Sequence, residues 1–195
     1  MSDSKQIQII VFSGPSGSGK NTLMKMLLER CSFCKRLITA TTRKPRPGEQ
    51  DGVDYYYLSK GEFLRGIDNG NIPEYRHIEA LDTYYGTYLP ALNEILKSGK
   101  IAVAQVDIIG VKFFKKNYNT VSFFIDPPSF DVLVSRIKNR AKISDDELDE
   151  RLRIAKREIE EDAKSFDYRV VNPEGHPEQA LDEIIKILRD KKISI

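Results

Sequence analysis

Residues 9–22 read IIVFSGPSGSGKNT. The unbroken apolar run within Gln8–Ser13 predicts a short buried strand, and Lys20–Glu29 carries apolar residues at helical spacing. The intervening spacing G-x-x-x-x-G-K, between a strand and a helix, is typical of a phosphate-binding loop. Its glycines let backbone N–H groups turn inward, where the helix N-terminus adds positive potential. Lys20 brings a mobile charge for the β and γ phosphates of a nucleotide.

The loop also predicts which residues hold ATP and its metal. The predicted ATP-binding residues of the loop are Gly14, Pro15, Ser16, Gly17, Ser18, Gly19, Lys20, Asn21 and Thr22. In such loops a Ser or Thr after the lysine usually holds Mg²⁺, but this chain has Asn21 there. We expect Mg²⁺ as the cofactor, with the amide oxygen of Asn21 as its candidate ligand and Thr22 as the neighbouring alternative.

Strands and helices alternate along the second half of the chain. The expected strands are Ile101–Val106, Val121–Ile125 and Tyr168–Val171, and the expected helices are Leu89–Ser98, Gly110–Lys116, Phe130–Asn139, Asp145–Lys164 and Gln179–Asp190. This alternation predicts an α/β fold, in which a parallel sheet has helices on both faces. Residues 37–88 break the rhythm and are interpreted as an insertion with a small sheet of its own. Within it, Ser59 and Glu62 predict a capping box for a helix over Ser59–Asn69.

Composition limits the class of protein. The 195 residues are 40% hydrophobic and 31% charged, with a net charge of +2, which is typical of an ordinary globular chain. This balance neither demands nor excludes a nucleic-acid partner, and we expect none. Because no apolar run approaches the roughly 18 residues that a membrane span needs, we expect a cytoplasmic protein without a membrane partner.

The only two cysteines, Cys31 and Cys34, are spaced C-x-x-C. That spacing occurs in redox pairs and in half of a zinc site. A zinc site needs further ligands, and the only histidines, His77 and His176, lie far apart in sequence. A redox motif is expected at a strand-to-helix corner, whereas these cysteines fall where a helix should end. We interpret them as incidental reduced thiols.

A second anion site is predicted in the insertion, where residues 39–49 read TATTRKPRPGE. The arginine fork suits a phosphate bidentately, and Arg43 and Arg46 stand three residues apart in a segment that prolines stiffen. Tyr55 follows closely and has a phenol that can donate to the same anion. The chain therefore offers one cradle for a donor phosphate and another for an acceptor phosphate.

The order of motifs resembles that of the guanylate kinase family. After the phosphate loop come TTRKPRPGE at 41–49, GVDY at 52–55, PEY at 73–75, YYGT at 84–87, DIIG at 107–110 and DPP at 126–128. The correspondence runs from about residue 9 to residue 172. It implies a three-layer P-loop kinase fold with an inserted GMP-binding α+β subdomain and a lid. As one domain over 1–195, the core would cover about 1–36, 89–138 and 148–195, the insertion about 37–88 and the lid about 139–147.

The resemblance also implies a role for each site residue. The residues implied to bind GMP are Thr39, Arg43, Arg46, Tyr55, Glu74, Tyr85, Thr87 and Asp107. Arginines and tyrosines among them would hold the phosphate, with Thr87 nearby, whereas Glu74, Thr39 and Asp107 would read guanine. A carboxylate suits this base because N1–H and N2–H₂ of guanine are both donors, and adenine lacks that pair.

Arginines near the lid complete the implied machinery. Arg136 and Arg140 would bind the ATP phosphates, and the implied catalytic residues are Lys20, Arg43, Arg140 and Arg151. Two simpler interpretations stay open: Arg136 and Arg140 lie four apart and could form an ordinary charged helix face, and Arg151 could pair with acidic neighbours.

The chain departs from the family pattern in three places. About two extra residues separate Glu74 from Tyr85, Gln105 stands where an acid commonly precedes Asp107, and residues 139–142 read NRAK in place of G-R-G-T. The first departure bears on base preference and the second on metal handling.

The implied reaction is ATP + GMP giving ADP + GDP with Mg²⁺, and the implied substrates are ATP and GMP or dGMP. We expect a monomer or a homodimer, in which the insertion and the lid swing inward around both nucleotides. Two alternatives remain: a guanylate-kinase-like scaffold that binds protein ligands, and a P-loop kinase acting on another phosphorylated acceptor.

Overall fold

The computed structural model describes residues 6–140 and 144–193, apart from the side chains of Ala80 and Arg140. The strands are β1 (Ile9–Ser13), β2 (Cys34–Arg36), β3 (Ala40–Thr41), β4 (Tyr56–Tyr57), β5 (Tyr75–Ile78), β6 (Thr83–Gly86), β7 (Ile101–Gln105), β8 (Thr120–Asp126) and β9 (Tyr168–Val171). The α-helices are α1 (Lys20–Arg30), α2 (Lys60–Asp68), α3 (Leu89–Lys97), α4 (Ile108–Asn117), α5 (Phe130–Arg140), α6 (Asp145–Glu160) and α7 (Pro177–Asp190). Two short 3₁₀ helices lie at Glu79–Leu81 and Asp162–Ser165.

The main sheet has five strands in the order β2-β7-β1-β8-β9, and every pair is parallel. β1 lies at its centre and is buried along its whole length. Because successive side chains of a strand point to opposite faces, Ile10 and Phe12 pack with α1 and α7, whereas Ile9 and Val11 pack with α3 and α4. The predicted parallel sheet with helices on both faces is therefore present.

A second sheet, ordered β4-β3-β6-β5, is formed by strands that lie between residues 40 and 86. β3 and β4 are parallel, whereas β6 pairs antiparallel with both β3 and β5. α2 packs beneath this sheet through the buried Phe63, which belongs to the same apolar cluster as Ala40 and Ile72. The predicted capping box is formed, since Ser59 and Glu62 exchange side-chain and backbone hydrogen bonds at the start of α2.

Two segments differ from the prediction. β2 was not expected, because a three-residue strand carries too little periodicity to recognise; it forms by pairing in parallel with β7 at the edge of the main sheet. The charged helix expected over Asp145–Lys164 ends at Glu160, and the chain continues as a 3₁₀ turn that buries Ala163.

The cysteines also differ from the prediction. Cys31 ends α1 in an extended conformation, and Cys34 begins β2, which brings their Cα atoms to 5.3 Å. That separation lies within the range that a disulfide spans, and the structure joins the two sulfur atoms. The interpretation as reduced thiols is therefore wrong for this structure.

Within residues 6–140 and 144–193, no helix combines the length and the apolar character needed to cross a membrane. The loops that follow β1, β7, β8 and β9 all leave the same edge of the main sheet, since the strands are parallel. This carboxyl edge is where open α/β sheets bind their ligands.

Candidate active site

The phosphate-binding loop closes over the carboxyl end of β1. Gly19 is the N-cap residue of α1 and has a left-handed backbone conformation, with φ of 88°. A Cβ atom at Gly19 would lie 2.1 Å from Nδ2 of Asn172, and one at Gly14 would lie 2.4 Å from the carbonyl oxygen of Ile125. The loop therefore needs glycine at both positions for space as well as for conformation. The ammonium of Lys20 folds back over the loop and donates to the carbonyl of Pro15 at 3.1 Å.

The loop is held from below by Asn172, which follows β9. Its Nδ2 donates to the carbonyl of Ser18 at 2.8 Å, and its backbone N–H donates to the carbonyl of Asp126 at 2.9 Å. Both Asn172 and Ser18 are buried. Burial strengthens the dependence of the loop on this contact, because an unpaired buried carbonyl is costly.

The predicted lid arginines have different surroundings. Arg136, on α5, donates from Nη1 to the carbonyl of Gly17 at 3.3 Å and from Nε to Glu174 at 2.9 Å, so it lies against the phosphate loop. Arg151, on α6, pairs with Glu147 at 2.7 Å, which is the simpler interpretation left open above. The side chain of Arg140 and residues 141–143 of the predicted lid lie outside the described residues.

The proline-stiffened segment is organised by one carboxylate. Glu49 accepts from Nη2 of Arg43 at 2.9 Å, from the backbone N–H of Arg46 at 2.7 Å and from the hydroxyl of Tyr57 at 2.8 Å. The Arg46 hydrogen bond, followed by those of Tyr57 and Arg43, lowers the pKa of Glu49 to about 2. Arg43 also lies over the ring of Tyr55, at 5.5 Å from its centroid. Glu49 thus fixes the arginine that the sequence predicts to bind the acceptor phosphate.

The two predicted phosphate-binding arginines open onto a polar cavity of about 230 Å³. Tyr55 and Tyr85 meet edge to face across it, with ring centroids 6.0 Å apart. Burial raises the pKa of Tyr55, so its phenol stays a hydrogen-bond donor at neutral pH. The cavity is lined by Asn21, Arg36, Leu37, Thr39, Arg43, Arg46, Glu49, Asp54, Tyr55, Tyr85 and Gln105.

The predicted base-reading carboxylate is held by Thr87. Oε1 of Glu74 accepts from the backbone N–H of Thr87 at 3.0 Å and also from its hydroxyl. Burial raises the pKa of Glu74, and the charge of Asp107 adds to that effect, whereas the Thr87 hydrogen bonds oppose it. N–H donors of a bound ligand would offset the loss of hydration of the charged Glu74 carboxylate.

Asp107 has two tasks in the structure. Its Oδ1 caps α4 by accepting from the N–H groups of Ile109 and Gly110. Its Oδ2 accepts from Nη1 of Arg76, on β5, at 3.3 Å. The predicted guanine reader is thus already engaged by an arginine that the sequence analysis did not single out.

A single cavity of about 290 Å³ connects the donor and acceptor residues. Its lining combines the phosphate loop with the predicted base site, namely Ser13, Gly14, Ser16, Lys20, Thr39, Tyr55, Glu74, Arg76, Ile78, Tyr85, Gly86, Gln105, Val106, Asp107 and Glu158. It opens at the carboxyl edge of the main sheet. A larger cavity of about 1080 Å³ lies at the opposite edge, near Gln8 and Lys191, away from the loops that follow the strands.

The sequence matches known proteins along most of its length. The profile of the guanylate kinase family matches residues 6–191. A guanylate kinase of Chlorobium chlorochromatii is 41% identical over 167 residues, which cover 85% of this chain and 86% of that protein. One from Synechocystis is 37% identical over 186 residues, or 95% of each chain. The chain belongs to the guanylate kinase family.

A solved structure agrees with this membership. The crystal structure of a guanylate kinase from Anaplasma phagocytophilum aligns with a TM-score of 0.73 and 30% identity, and the alignment covers 97% of this chain and 87% of that one. The prediction of a P-loop kinase fold is confirmed, as is that of a nucleoside monophosphate kinase.

Three site residues of this guanylate kinase family member were missed from the sequence. Asn172 directly follows the predicted strand Tyr168–Val171 and was assigned no role. Arg76 and Glu158 carry no motif, yet both line the cavity that contains Lys20. Burial raises the pKa of Glu158, whereas the charge of Lys20 lowers it. For Arg76 the sequence offered only its place two residues after Glu74, in a segment where no strand was predicted.

The residues around the loop fit a magnesium ion that arrives with ATP. Mg²⁺ keeps several waters and is bound by one or two protein oxygens together with substrate phosphates. Asn21 and Gln105 both line the polar cavity of about 230 Å³, and each has an amide oxygen to offer. Among the described residues no group of three or more His, Cys, Asp or Glu could hold a metal by itself. This donor set suits an ion whose main ligands are phosphates.

Proposed function

We propose that this chain transfers the γ-phosphoryl group of ATP to GMP, giving ADP and GDP. The observation that carries the proposal is one cavity that Lys20 and Gly14 of the phosphate loop share with Glu74, which precedes β5, and Tyr85 of the small sheet. Phosphoryl transfer depends on alignment and charge neutralisation more than on covalent chemistry. A donor cradle and an acceptor cradle that share one cavity meet that requirement.

On the donor side, the proposal assigns the phosphates of ATP to the loop Gly14–Thr22. Backbone N–H groups and the N-terminus of α1 would bind the anion, and the ammonium of Lys20 would exchange its contact with Pro15 for the β and γ phosphates. Arg136 would contribute from α5, where it already contacts the loop. Arg140 and Arg151 remain predicted stabilisers of the transferring charge.

On the acceptor side, the proposal assigns the GMP phosphate to Arg43, Arg46, Tyr55 and Tyr85. Arg43 is held by Glu49 and has further N–H donors in its fork, so it can bind a phosphate without losing its partner. Glu74 would accept from N1–H and N2–H₂ of guanine, and Thr87 engages only one of its two carboxylate oxygens. Thr39 lines the same cavity and has a hydroxyl for the base edge, and Asp107 stays a predicted guanine reader.

Mg²⁺ would reach the site with ATP and neutralise charge on the donor phosphates. Asn21 would supply a protein oxygen, and Gln105 would hold either the ion or one of its waters. Both side chains are neutral, so the ion depends on ATP for its negative ligands. The metal requirement is accordingly proposed to be a property of the ATP complex.

The proposal includes closure. The insertion (about 37–88) and the lid (about 139–147) would swing over the nucleotides, because water must be excluded before transfer. Labels for fluorescence energy transfer on the two segments would report this movement, and an unchanged transfer efficiency after both nucleotides are added would contradict it. The cytoplasmic location and the monomer or homodimer state stay predictions.

Acceptor selectivity tests the reaction. In a coupled assay of ADP release with ATP and Mg²⁺, we expect turnover with GMP and dGMP, less with IMP, and least with AMP. Glu74→Ala should reduce the preference for GMP over AMP by roughly 10- to 150-fold in kcat/KM, because a carboxylate-to-ligand hydrogen bond contributes about 1.5–3 kcal/mol.

Glu79→Ala is the matched control, since Glu79 is an exposed glutamate of the same insertion. It should leave both acceptors unchanged. Absence of GMP-dependent ADP release by the unmodified chain would favour the scaffold alternative. Turnover that prefers a phosphorylated acceptor other than a guanine nucleotide would favour the other P-loop kinase alternative.

A further inference from the structure

Arg76 stands in the base site for a reason visible in the register of the small sheet. Glu74, Arg76 and Ile78 are alternate residues, and all three line the cavity shared with Lys20. The side chains of Tyr75 and His77 point the other way, where both pack against the ring of Tyr84. Strand alternation therefore turns Arg76 toward the same space as the base-reading carboxylate.

Two neighbours fix the position of Arg76. Across the strand pair it is opposite Tyr85, and directly opposed residues share one face of a sheet. From the core, Oδ2 of Asp107 accepts from its Nη1 at 3.3 Å, while Oδ1 of Asp107 is occupied by the first turn of α4. The contact with Asp107 holds the guanidinium of Arg76 in position before a ligand binds. Because this contact uses one of five N–H donors, the others can donate to a ligand.

Guanine offers two adjacent edges to such a pair of side chains. N1–H and N2–H₂ are donors suited to a carboxylate, whereas O6 and N7 are acceptors suited to an arginine fork. Glu74 directly precedes β5, Arg76 is the second residue of that strand, and both residues line the same cavity. The cavity therefore offers a carboxylate to the donors of the base and a guanidinium to its acceptors.

We infer that Arg76 determines base specificity by donating to O6 and N7 of guanine, and that Asp107 positions Arg76 for this contact. The inference rests on the proposed function, because it concerns the acceptor of that reaction. Adenine has an amino group where guanine has O6, so the guanidinium would face a donor and one of its N–H groups would go unpaired. Base selection then comes from two edges, with Glu74 at one and Arg76 at the other.

The test compares GMP with 7-deaza-GMP, which has CH in place of N7 but keeps the donors that Glu74 would read. We expect the unmodified chain to prefer GMP by about 10-fold or more in kcat/KM, the size of one hydrogen bond to a charged group. Arg76→Gln should lower kcat/KM for GMP by about 10- to 100-fold and bring the ratio of the two substrates close to one. Arg76→Lys keeps the charge but loses the fork, so it should also lose most of the preference.

Arg65→Gln is the matched control, because Arg65 is an exposed arginine on α2 of the same insertion; it should keep the preference for GMP. The preference for GMP over IMP should survive Arg76→Gln, since it depends on N2–H₂. Equal losses with GMP and 7-deaza-GMP in the Arg76 variants would make Arg76 a structural ion-pair partner only, and the inference would fail. The inference would also fail if the unmodified chain used GMP and 7-deaza-GMP equally well, a result that does not depend on the folding of any variant. Absence of any turnover with GMP would instead contradict the proposed function.

Discussion

Gly19→Ala tests how the phosphate loop is packed. The backbone of Gly19 has φ of 88°, and a Cβ atom there would lie 2.1 Å from Nδ2 of Asn172. That nitrogen donates to the buried carbonyl of Ser18, so the added methyl group must push Asn172 away from the bond it makes. The substitution therefore combines a conformational penalty with the loss of a specific hydrogen bond.

The two contributions can be sized separately. A non-glycine residue in the left-handed region costs about 1–2 kcal/mol. A buried carbonyl that loses its donor costs about 1–3 kcal/mol. We expect Gly19→Ala to lower the free energy of unfolding by about 2–5 kcal/mol, the sum of both. Urea unfolding of the ligand-free protein, followed by circular dichroism, measures this quantity.

Gly48→Ala is the matched control for the conformational part. Gly48 has φ of 87°, nearly that of Gly19, but a Cβ atom there meets nothing within 4 Å. Its substitution should lower the free energy of unfolding by only about 1–2 kcal/mol. The difference between the two glycine variants then isolates the displacement of Asn172.

A double-mutant cycle with Asn172→Ala decides the mechanism. Alone, Asn172→Ala should lower the free energy of unfolding by about 1–3 kcal/mol. We expect a value toward the low end, because Oδ1 of Asn172 is buried without a hydrogen-bond partner in the described part of the chain, and its removal offsets part of the loss. Combined with Gly19→Ala it should add little, since the same bond is already lost and the methyl group has space. Full additivity, or equal effects of Gly19→Ala and Gly48→Ala, would refute this account of the loop.

Three further perturbations address other parts of the molecule. The pKa of Glu49 is lowered from 4.5 to about 2, so its carboxylate contributes stability that is complete above about pH 4.5 and is lost as the pH falls toward 2. The difference in melting temperature between Glu49→Gln and the unmodified chain should therefore be present at pH 6 and shrink toward pH 2. A difference that does not change with pH would contradict this. Asn21→Ala should raise the Mg²⁺ concentration needed for half-maximal ADP release about fivefold, the effect of losing about 1 kcal/mol, without changing the KM for GMP; an unchanged Mg²⁺ requirement would exclude Asn21 as a ligand. Reduction of the Cys31–Cys34 disulfide, which has a sequence separation of only 3, should lower the free energy of unfolding by about 2 kcal/mol in urea titrations with and without a phosphine reductant; identical curves would show that the cysteines are thiols in solution.

The core of the fold was predictable because its signals are local. The apolar run before Gly14 and the glycines after it lie within one segment, and the strands and helices of the second half repeat at regular spacing. β2 was not predictable in this way, since its three residues become a strand only by pairing with β7. The end of α6 at Glu160 likewise depends on tertiary structure, because the 3₁₀ turn that follows it buries Ala163 against the core.

The site was predictable where function demands a contiguous motif, and less so where it depends on contacts between distant segments. Lys20 and Arg43 belong to such motifs. Asn172 reaches Ser18 from 154 residues away, and Asp107 meets Arg76 from 31 residues away. Such partners supply single hydrogen bonds that leave no spacing in the sequence. Arg76 follows Glu74 by two residues, but that spacing alone did not mark it as a site residue.

The sequence analysis assigns several arginines to phosphates. Among those whose side chains the structure describes, all except Arg46 already pair with a carboxylate. Arg43 pairs with Glu49, Arg136 with Glu174 and Arg151 with Glu147. These pairs do not argue against phosphate binding, because a guanidinium has five donors and a carboxylate engages only one or two of them. The partner holds the side chain in one rotamer, which removes part of the entropy that binding would otherwise lose. The partners differ in burial, however: the side chain of Glu49 is 21% exposed, whereas that of Glu174 is 64% exposed. Solvent screening weakens the more exposed pair. Arg136 is therefore freer than Arg43 to change partners. This difference suits the proposed roles, in which Arg136 would follow a closing lid and Arg43 would keep the acceptor phosphate in place.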